Sequence, residues 1–334
     1  MISKFRNEIS CGKTFRFLAF CSFFFIWLCG HSLTWAQGEG YPSKPVKIVV
    51  PYSAGGGADL VMRALAGYLG KELGVPIIIE NKSGADGMIG AATVLKAKPD
   101  GYTLLVASDA PMIHGPLGSP NPPYDPLKDF LIIGGTGVTP HVFTVPASSP
   151  FKTIGDLVSE AKRNPGRLSV GTNQIDGRLK IVKFEKVAAI DLTFVPFAST
   201  AEIVSAVLGK HIDMMVLTYA ASRPYIDAGE LRILLTNYRL PGRSAPTPAE
   251  AGYPDAEIVV ARNGLAVSAK TPKPIHEKLV AAFERAHKNP ELLKKWDKIG
   301  LIADYKNPTD FFDDMKKKWN IEGELVRELG LTPK

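Results

Sequence analysis

Residues 46–59 read VKIVVPYSAGGGAD and indicate the architecture most clearly. Residues 46–50 have the β-branched, mostly apolar character of a strand inside a sheet. Three glycines at 55–57 permit a sharp turn, and an amphipathic helix is predicted from about Asp59. The first turn of such a helix presents unpaired N–H groups and a partial positive charge. The segment therefore predicts a strand–turn–helix unit whose turn can bind an anion without a cationic side chain.

Strand-like and helix-like segments alternate along the chain. Strands are predicted at 77–79, 104–106 and 168–170, and the turns at 81–87 and 171–177 repeat the strand–turn–helix layout. Alternation of this kind builds parallel sheets covered by helices, and ligands bind at the carboxyl ends of their strands. A chain of 334 residues is longer than one core usually holds, so two lobes are expected.

Two further helix starts can be read from the sequence. Thr153 followed by Asp156 resembles a capping box with Asp in place of Glu. Near the C-terminus, Thr309 is predicted to cap a helix whose apolar face includes Met315. The lysine run at 316–318 is predicted to form a solvated face of that helix.

The N-terminal segment is predicted to be removed. Four basic residues precede an apolar run at 17–33, and small residues follow at 34 and 36. This layout is typical of a secretory signal peptide, residues 1–36, cleaved after Ala36. A membrane anchor is the alternative, for which the apolar run is short. The three cysteines all lie in this segment, so the mature chain would have no disulfide, thiol nucleophile or cysteine metal site.

Three other kinds of site fit the glycine-rich turns less well. A phosphate loop would need Gly-Lys-Ser/Thr, but Ala58 and Asp59 follow the glycines. Residues 84–90 have Gly-x-x-Gly-x-x-Gly spacing, which lacks the close glycine pair of a dinucleotide fingerprint. Residues 51–55 lie where a hydrolase nucleophile elbow would lie, but Pro51 replaces its first glycine and no histidine shows a local pairing pattern. No catalytic residue, cofactor or metal ligand is predicted.

Motifs along the whole mature chain resemble those of one family. They are YPSKP at 41–45, VPYSAGGGAD at 50–59, ENKSGA at 80–85, PDGYTL at 99–104, YDPLKDF at 124–130, VPF at 195–197, PTPAEAG at 246–252 and TPKP at 271–274. In these motifs the chain resembles the Bug-type extracytoplasmic receptors, the substrate-binding components of tripartite tricarboxylate transporters.

The resemblance implies a fold and a function. The expected fold is α/β, two-lobed and periplasmic-binding-protein-like, each lobe a mainly parallel sheet flanked by helices, with the ligand cleft between the lobes. Lobe 1 would comprise residues 37–139 and 259–334, and lobe 2 residues 140–258. A periplasmic monomer would capture a small carboxylate and deliver it to integral-membrane transporter subunits, without cofactor or catalysis. A periplasmic ligand sensor with a membrane signalling partner is the alternative, and an exported serine hydrolase is a weaker one.

The charge of the chain agrees with such a role. The net charge is +7, part of which belongs to the basic head of the predicted signal peptide. No basic block with interleaved aromatic residues suggests nucleic-acid binding.

The resemblance also implies a ligand-binding surface. Four positions outside the family's ligand loops, Ser108, Asp109, His141 and Arg262, are added to the expected surface, although His141 is alternatively a loop histidine with satisfied hydrogen bonds and Arg262 a surface residue. The remaining expected ligand-binding residues are Tyr52, Ser53, Ala54, Gly55, Gly56, Gly57, Asp59, Gly84, Ala85, Asp86, Thr172, Asn173, Asp176, Gly177, Arg178, Phe197, Ala198, Ser199 and Thr200.

Departures from the family pattern suggest an altered ligand preference. Asp86 replaces a glycine, residues 177–178 read Gly-Arg where the family has Ser-His, and residues 196–200 lack the family's lysine. Asp86, Asp109 and Asp176 would repel a plain dicarboxylate, which predicts a ligand that also bears an amine or several hydroxyls. Arg178 and Arg262 could hold its carboxylate bidentately. Alternatively, these acids cap helices or face water.

Overall fold

The computed structural model describes residues 40–173, 175–257 and 259–328, so the predicted signal peptide lies almost entirely outside the described residues. From Pro42 onward the chain forms one unit. Over the described residues it forms eleven strands: β1 (Val46–Val50), β2 (Ile77–Asn81), β3 (Thr103–Ala107), β4 (Phe130–Thr139), β5 (His141–Pro146), β6 (Ser169–Thr172), β7 (Thr193–Pro196), β8 (Met214–Thr218), β9 (Leu231–Thr236), β10 (Ala261–Ser268) and β11 (Ile302–Lys306).

The strands alternate with helices. Over the same described residues the α-helices are α1 (Gly57–Leu73), α2 (Met88–Lys96), α3 (Gly115–Leu117), α4 (Ile154–Arg163), α5 (Ile175–Ala188), α6 (Thr200–Leu208), α7 (Tyr219–Asp227), α8 (Lys273–His287), α9 (Pro290–Lys298) and α10 (Pro308–Glu328). A 3₁₀ turn spans Ala85–Gly87 and a π-helical turn spans Ala110–His114.

The strands form two sheets. The first has the order β11-β4-β10-β3-β1-β2 and the second the order β7-β6-β8-β5-β9. Strands β1, β2 and β3 pair in parallel, as do β6, β7 and β8, because the helices between them cross the face of the sheet. Strand β5 is the first strand that the chain adds to the second sheet, and β10 is the first after the chain returns to the first sheet. Both pair antiparallel with their neighbours. The sheets are therefore mixed, and the predicted parallel pairing holds for three strands in each.

The chain changes sheets within a very short segment. β4 ends at Thr139 in the first sheet, Pro140 follows, and β5 begins at His141 in the second. The returning strand β10 begins at Ala261, which pairs with Thr139. Two strands thus pass side by side where the sheets join. The lobe boundaries at 139/140 and 258/259 stay predictions.

Local sequence patterns explain several boundaries. The Thr153 side chain accepts a hydrogen bond from Asp156 N at 3.1 Å, and the Asp156 carboxylate accepts one from Thr153 N at 2.8 Å, which confirms the capping box of α4. The predicted cap of the C-terminal helix was two residues late. Asn307 Oδ1 accepts a hydrogen bond from Asp310 N at 2.9 Å and so caps α10 in place of Thr309, because Asn307 directly precedes the helix and its side chain can reach the unpaired N–H groups of the first turn.

Each sheet has its own apolar core, and α10 contacts residues of both. Phe311 and Met315 of α10 pack in the core of the first sheet. Further along the helix, Leu325 and Val326 pack against Leu179 of α5, on the second sheet. The C-terminal helix therefore spans the junction of the two sheets.

Candidate ligand-binding site

The turn between β1 and α1 is exposed, and the buried side chain of Asp59 holds it in place. Residues 53–57 are exposed. The Asp59 side chain is only 1% exposed and accepts hydrogen bonds from Gly55 N and Arg63 Nε at 2.8 Å and from Asn81 Nδ2 at 3.0 Å. Burial opposes ionisation, but these hydrogen bonds outweigh it and lower the pKa of Asp59. The contacts give Asp59 a role in shaping the turn.

A tyrosine joins this turn to the end of β3. Tyr52 Oη lies 2.8 Å from Ser108 Oγ, and the Tyr52 carbonyl accepts a hydrogen bond from Asn81 Nδ2 at 3.1 Å. Burial raises the pKa of Tyr52 to about 12. The phenol therefore stays protonated and can donate a hydrogen bond at neutral pH.

The turn between β2 and α2 has an unusual backbone. Gly84, Ala85, Asp86 and Gly87 have φ angles of 122°, 46°, 47° and 81°. A Cβ on Gly87 would stand 3.0 Å from Pro111, so glycine is required there. Positive φ costs free energy at non-glycine residues, less so at Asp, and such strain often accompanies functional turns. Ala85 and Asp86 are both exposed.

The facing turns on the second sheet bring two helix starts together. Asn173 is exposed, and its Nδ2 donates to Thr200 Oγ1 at 3.4 Å. Ser199 caps α6 by accepting a hydrogen bond from Glu202 N at 3.3 Å. The N-terminal turns of α5 and α6 therefore lie beside each other, and the partial positive charge at each favours a bound anion.

The glycine at 177, where the family pattern differs, has a packing explanation. A Cβ on Gly177 would collide with Thr172 Oγ1, so the backbone of α5 approaches the end of β6 closely and only glycine fits. The Phe197 ring packs against Gly171, where a Cβ would stand 2.8 Å from it. Thr172 and Gly177 are buried, so they support the turn through packing and not through an exposed side chain. Ala198 is exposed at the neighbouring turn.

A buried charge cluster connects the two sets of turns. We use this name for Asp109, His114, His141, Asp176, Lys180, Lys318 and Glu322. Lys318 Nζ contacts an Asp109 oxygen and lies 3.3 Å from Asp176 Oδ1 and 3.4 Å from Glu322 Oε1. Asp109 directly follows Ser108, and Asp176 lies in the first turn of α5. Lys318 thus bridges the two sheets beside the predicted ligand turns.

The other members of the cluster complete its charge pairing. Lys180 Nζ lies 2.5 Å from Asp176 Oδ1, and His141 Nδ1 lies 3.2 Å from Asp176 Oδ2. His114 Nε2 lies 2.9 Å from Glu322 Oε2. The prediction that residues 316–318 form a solvated face was wrong for Lys318, whose side chain is 2% exposed. Its partners lie up to 209 residues away in the sequence, so no local pattern could reveal them.

The pKa values follow from burial and these pairings. Burial opposes the charged form of Lys318, but Asp109, Asp176 and Glu322 hold its pKa well above the usual value. Burial likewise opposes ionisation of Asp176, but Lys180 and Lys318 hold its pKa well below the usual value. Donor atoms of Asp109, His114 and Asp176 lie within 4.8 Å of one another, but the ammonium groups of Lys318 and Lys180 already pair with the two carboxylates.

The two arginines of the predicted site have other partners. The Arg178 guanidinium lies 4.2 Å from the centre of the Phe194 ring, and its Nη1 lies 3.9 Å from Glu185 Oε2. Arg262 Nη2 donates to Asp304 Oδ2 at 2.6 Å. The bidentate role expected of Arg178 and Arg262 stays a prediction that no contact favours. The expected repulsion by Asp109 and Asp176 is offset by Lys318 and Lys180.

No described contact supports the hydrolase alternative. Within the described ranges, His114 and His141 pair with the acids of the buried charge cluster. His276 Nε2 lies 2.7 Å from the Ile132 carbonyl, and His287 Nε2 lies 2.6 Å from the Thr136 carbonyl. Ser53 is exposed in its turn and has no histidine contact among the hydrogen bonds of these residues.

The arrangement has the features of one class of protein. Turns 51–57, 82–87 and 108–109 follow the parallel strands β1, β2 and β3, and residue 173 and the turn 197–199 follow β6 and β7. The predicted residues therefore gather at the carboxyl edges of two sheets joined by crossing strands, where open α/β folds bind ligands. Two such sheets define a periplasmic-binding-protein fold. None of the described helices is both long and apolar enough to span a membrane.

Comparison with known proteins identifies the family. Residues 61–331 match the family described as the tripartite tricarboxylate transporter family receptor, TctC, and the chain belongs to this family. BugT of Bordetella pertussis is 30% identical over 302 residues, which cover 89% of this chain and 90% of BugT. The predicted resemblance to Bug-type receptors is thereby confirmed.

Solved structures agree with the fold. A ligand-free TctC solute-binding protein from Polaromonas superposes with a TM-score of 0.78 at 28% identity, covering 86% of this chain and 99% of that protein. A Rhodopseudomonas palustris protein with adipate superposes with a TM-score of 0.72 at 26% identity, covering 88% of this chain and 100% of the other. The chain is therefore a solute-binding protein of a family in which at least one relative holds a dicarboxylate.

Proposed function

We propose that this chain captures a small carboxylate between its two sheets and delivers it to the integral-membrane subunits of a tripartite transporter. The observation that carries the proposal is the continuous set of contacts between the two groups of turns. It runs from Tyr52 through Ser108 and Asp109 to Lys318, and from Lys318 to Asp176 at the start of α5. Family membership and the adipate-bound relative support the ligand class.

The chemistry of capture rests on neutral donors. The exposed turn before α1 and the starts of α5 and α6 present partial positive charge to an anion. The protonated Tyr52 phenol and the Asn173 amide add donors that fix its orientation. A carboxylate can therefore be held reversibly without a lysine in contact. Export through a signal peptide cleaved after Ala36, a monomeric state and the absence of turnover are parts of the same proposal.

A thermal-shift screen tests the ligand class. Residues 37–334 are heated with succinate, adipate, citrate, glutamate and nicotinate, each beside its carboxamide analogue. A carboxylate that binds only the folded chain raises Tm by mass action, about 2.7 kcal/mol of stabilisation at one hundred times Kd, and its amide raises Tm less. Equal shifts with acid and amide, or no shift with any acid, contradict the proposal.

The same preparation tests the absence of catalysis. We expect no product from a chromogenic ester. Turnover that disappears in Ser53→Ala but persists in Ser205→Ala, a serine exposed on α6, would establish a hydrolase instead.

A further inference from the structure

Helix α10 places one charged side chain at the junction of the two sheets. Phe311 and Met315 anchor the helix in the first core, and Leu325 and Val326 anchor it against α5. Lys318 lies between these anchors and is buried. The helix therefore fixes the Lys318 ammonium where both sheets contribute side chains.

The partners of Lys318 lie directly beside the proposed ligand turns. Asp109 follows Ser108, whose hydroxyl contacts Tyr52, and Asp176 lies in the first turn of α5. Left unpaired, each carboxylate would repel an anion bound at these turns. The Lys318 ammonium contacts both, so a single side chain offsets the repulsion from the two halves of the site.

We propose that Lys318 is a positioning residue that sets the preference of the site for dianions, by pairing with Asp109 and by sharing Asp176 with Lys180, without touching the ligand. This inference rests on the proposed function, carboxylate capture between the sheets. It reverses the expectation that the acids select against plain dicarboxylates, because that expectation left out their buried partner.

The charge balance supports this role. In the buried charge cluster three carboxylates face Lys180, Lys318 and His114, so removal of Lys318 leaves the cluster more negative. Burial is the main cause of the raised pKa of Tyr52, and among the charges Asp109 raises it while Lys318 lowers it. Both charges therefore act on a residue of the proposed ligand turn. At the effective dielectric of protein sites, one unit charge about 10 Å from a bound anion changes its affinity on the order of tenfold.

Calorimetry with Lys318→Met tests the inference. The probes are adipate, a dianion, and hexanoate, a monoanion of the same length. We expect Lys318→Met to weaken adipate binding about tenfold and hexanoate binding less, because repulsion scales with ligand charge. Lys316→Met and Lys317→Met, which alter exposed neighbours, leave both affinities unchanged. An equal loss for the two probes, or no loss, overturns the inference.

A charge-compensating double variant separates electrostatics from packing. Lys318→Met with Asp109→Asn removes one charge of each sign, and we expect it to recover most of the adipate affinity. In Lys318→Met alone, the affinity is expected to rise as the pH falls, because Asp109 becomes protonated. The other groups that act on Asp109 are Asp176, Glu322, His114 and Tyr52, and Lys180 and His141 contact Asp176. An adipate affinity that stays low in the double variant at every pH contradicts the proposal.

A further variant covers the case in which Lys318→Met does not fold. Asp109→Asn in the wild-type background leaves the positive charge of Lys318 in excess. It should therefore tighten adipate binding relative to hexanoate. An unchanged ratio overturns the inference by itself. If the wild-type chain binds no acid of the screening panel, the proposed carboxylate capture is wrong and this inference is wrong with it. If the wild type binds adipate and the variants bind adipate and hexanoate with wild-type affinities, only this inference is rejected.

Discussion

Ala85 is a residue of the proposed site with a left-handed backbone conformation. Its φ is 46°, and it is exposed in the second turn. The left-handed region costs an L residue about 1–2 kcal/mol. Glycine avoids this cost, but its greater conformational freedom favours the unfolded chain by roughly 0.5–1 kcal/mol. We therefore expect Ala85→Gly to raise the free energy of unfolding by about 0.5–1 kcal/mol in urea titrations.

A second alanine provides the matched control. Ala66 lies in the interior of α1, where Ala→Gly costs about 1 kcal/mol. The two substitutions should therefore have opposite signs. If Ala85→Gly destabilises the chain as Ala66→Gly does, the left-handed backbone of this turn is not present in solution.

The roles of single residues could be predicted where they depend on neighbours in the sequence. Gly55 and Gly56 lie in an exposed turn, and Gly57 begins the helix that follows, as the composition of this segment predicts. The role of Lys318 could not be predicted, because Asp109 and Asp176 reach it only through the folded chain. The i, i+4 spacings of Asp176 with Lys180 and of Lys318 with Glu322 were a visible signal, but such pairs are usual on exposed helices.

Among the structural elements, one contact joins the segment after β3 to α10. His114 lies in the π-helical turn, and its Nε2 is 2.9 Å from Glu322 Oε2 of α10. Burial opposes protonation, but the hydrogen bond and charge of Glu322, with Asp109 and Asp176, raise the pKa of His114. A histidine whose folded pKa is raised adds stability below its unfolded pKa of about 6.5 and loses it as the pH rises through the folded pKa.

This contact predicts a pH dependence of stability. The difference in free energy of unfolding between wild type and His114→Gln should be larger at pH 6 than at pH 9. His287 is a control for which the pH dependence has the opposite sign. Burial lowers the pKa of His287, so the stability that its neutral form contributes is lost as the pH falls below about 6.5. Chemical denaturation across this range measures both, and a pH-independent difference for His114→Gln would refute the assignment.

Helices and strands could be predicted where nearby residues determine their boundaries. β1 is defined by its apolar run, and α4 by a capping box and a C-terminal stop at 164–166. The antiparallel pairing of β10 was not predicted. Thr136 Oγ1 of β4 donates to the carbonyl of Asn263, 127 residues away, and such a partner cannot be found from periodicity. Local sequence determines whether a segment forms a strand. The strand with which it pairs depends on the path of the chain between the sheets.

For the whole molecule, the central claim is that one ligand is held by both sheets. Ser53 is exposed in the turn after β1, and Asn173 is exposed in the turn after β6. A tryptophan at either position would occupy space between the two groups of turns without disturbing a buried core. A ligand gripped from both sides should be excluded by either substitution, whereas a ligand bound on one sheet should be sensitive to one substitution only.

Calorimetric titration of adipate into wild type, Ser53→Trp and Asn173→Trp tests this claim most directly, with Ser205→Trp on the exposed face of α6 as the control. We expect one site per chain in the wild type and in the control. Each of the other two variants should lose at least about tenfold in affinity while keeping the Tm of the ligand-free wild type. Undiminished binding in Ser53→Trp or in Asn173→Trp would contradict capture between the two sheets.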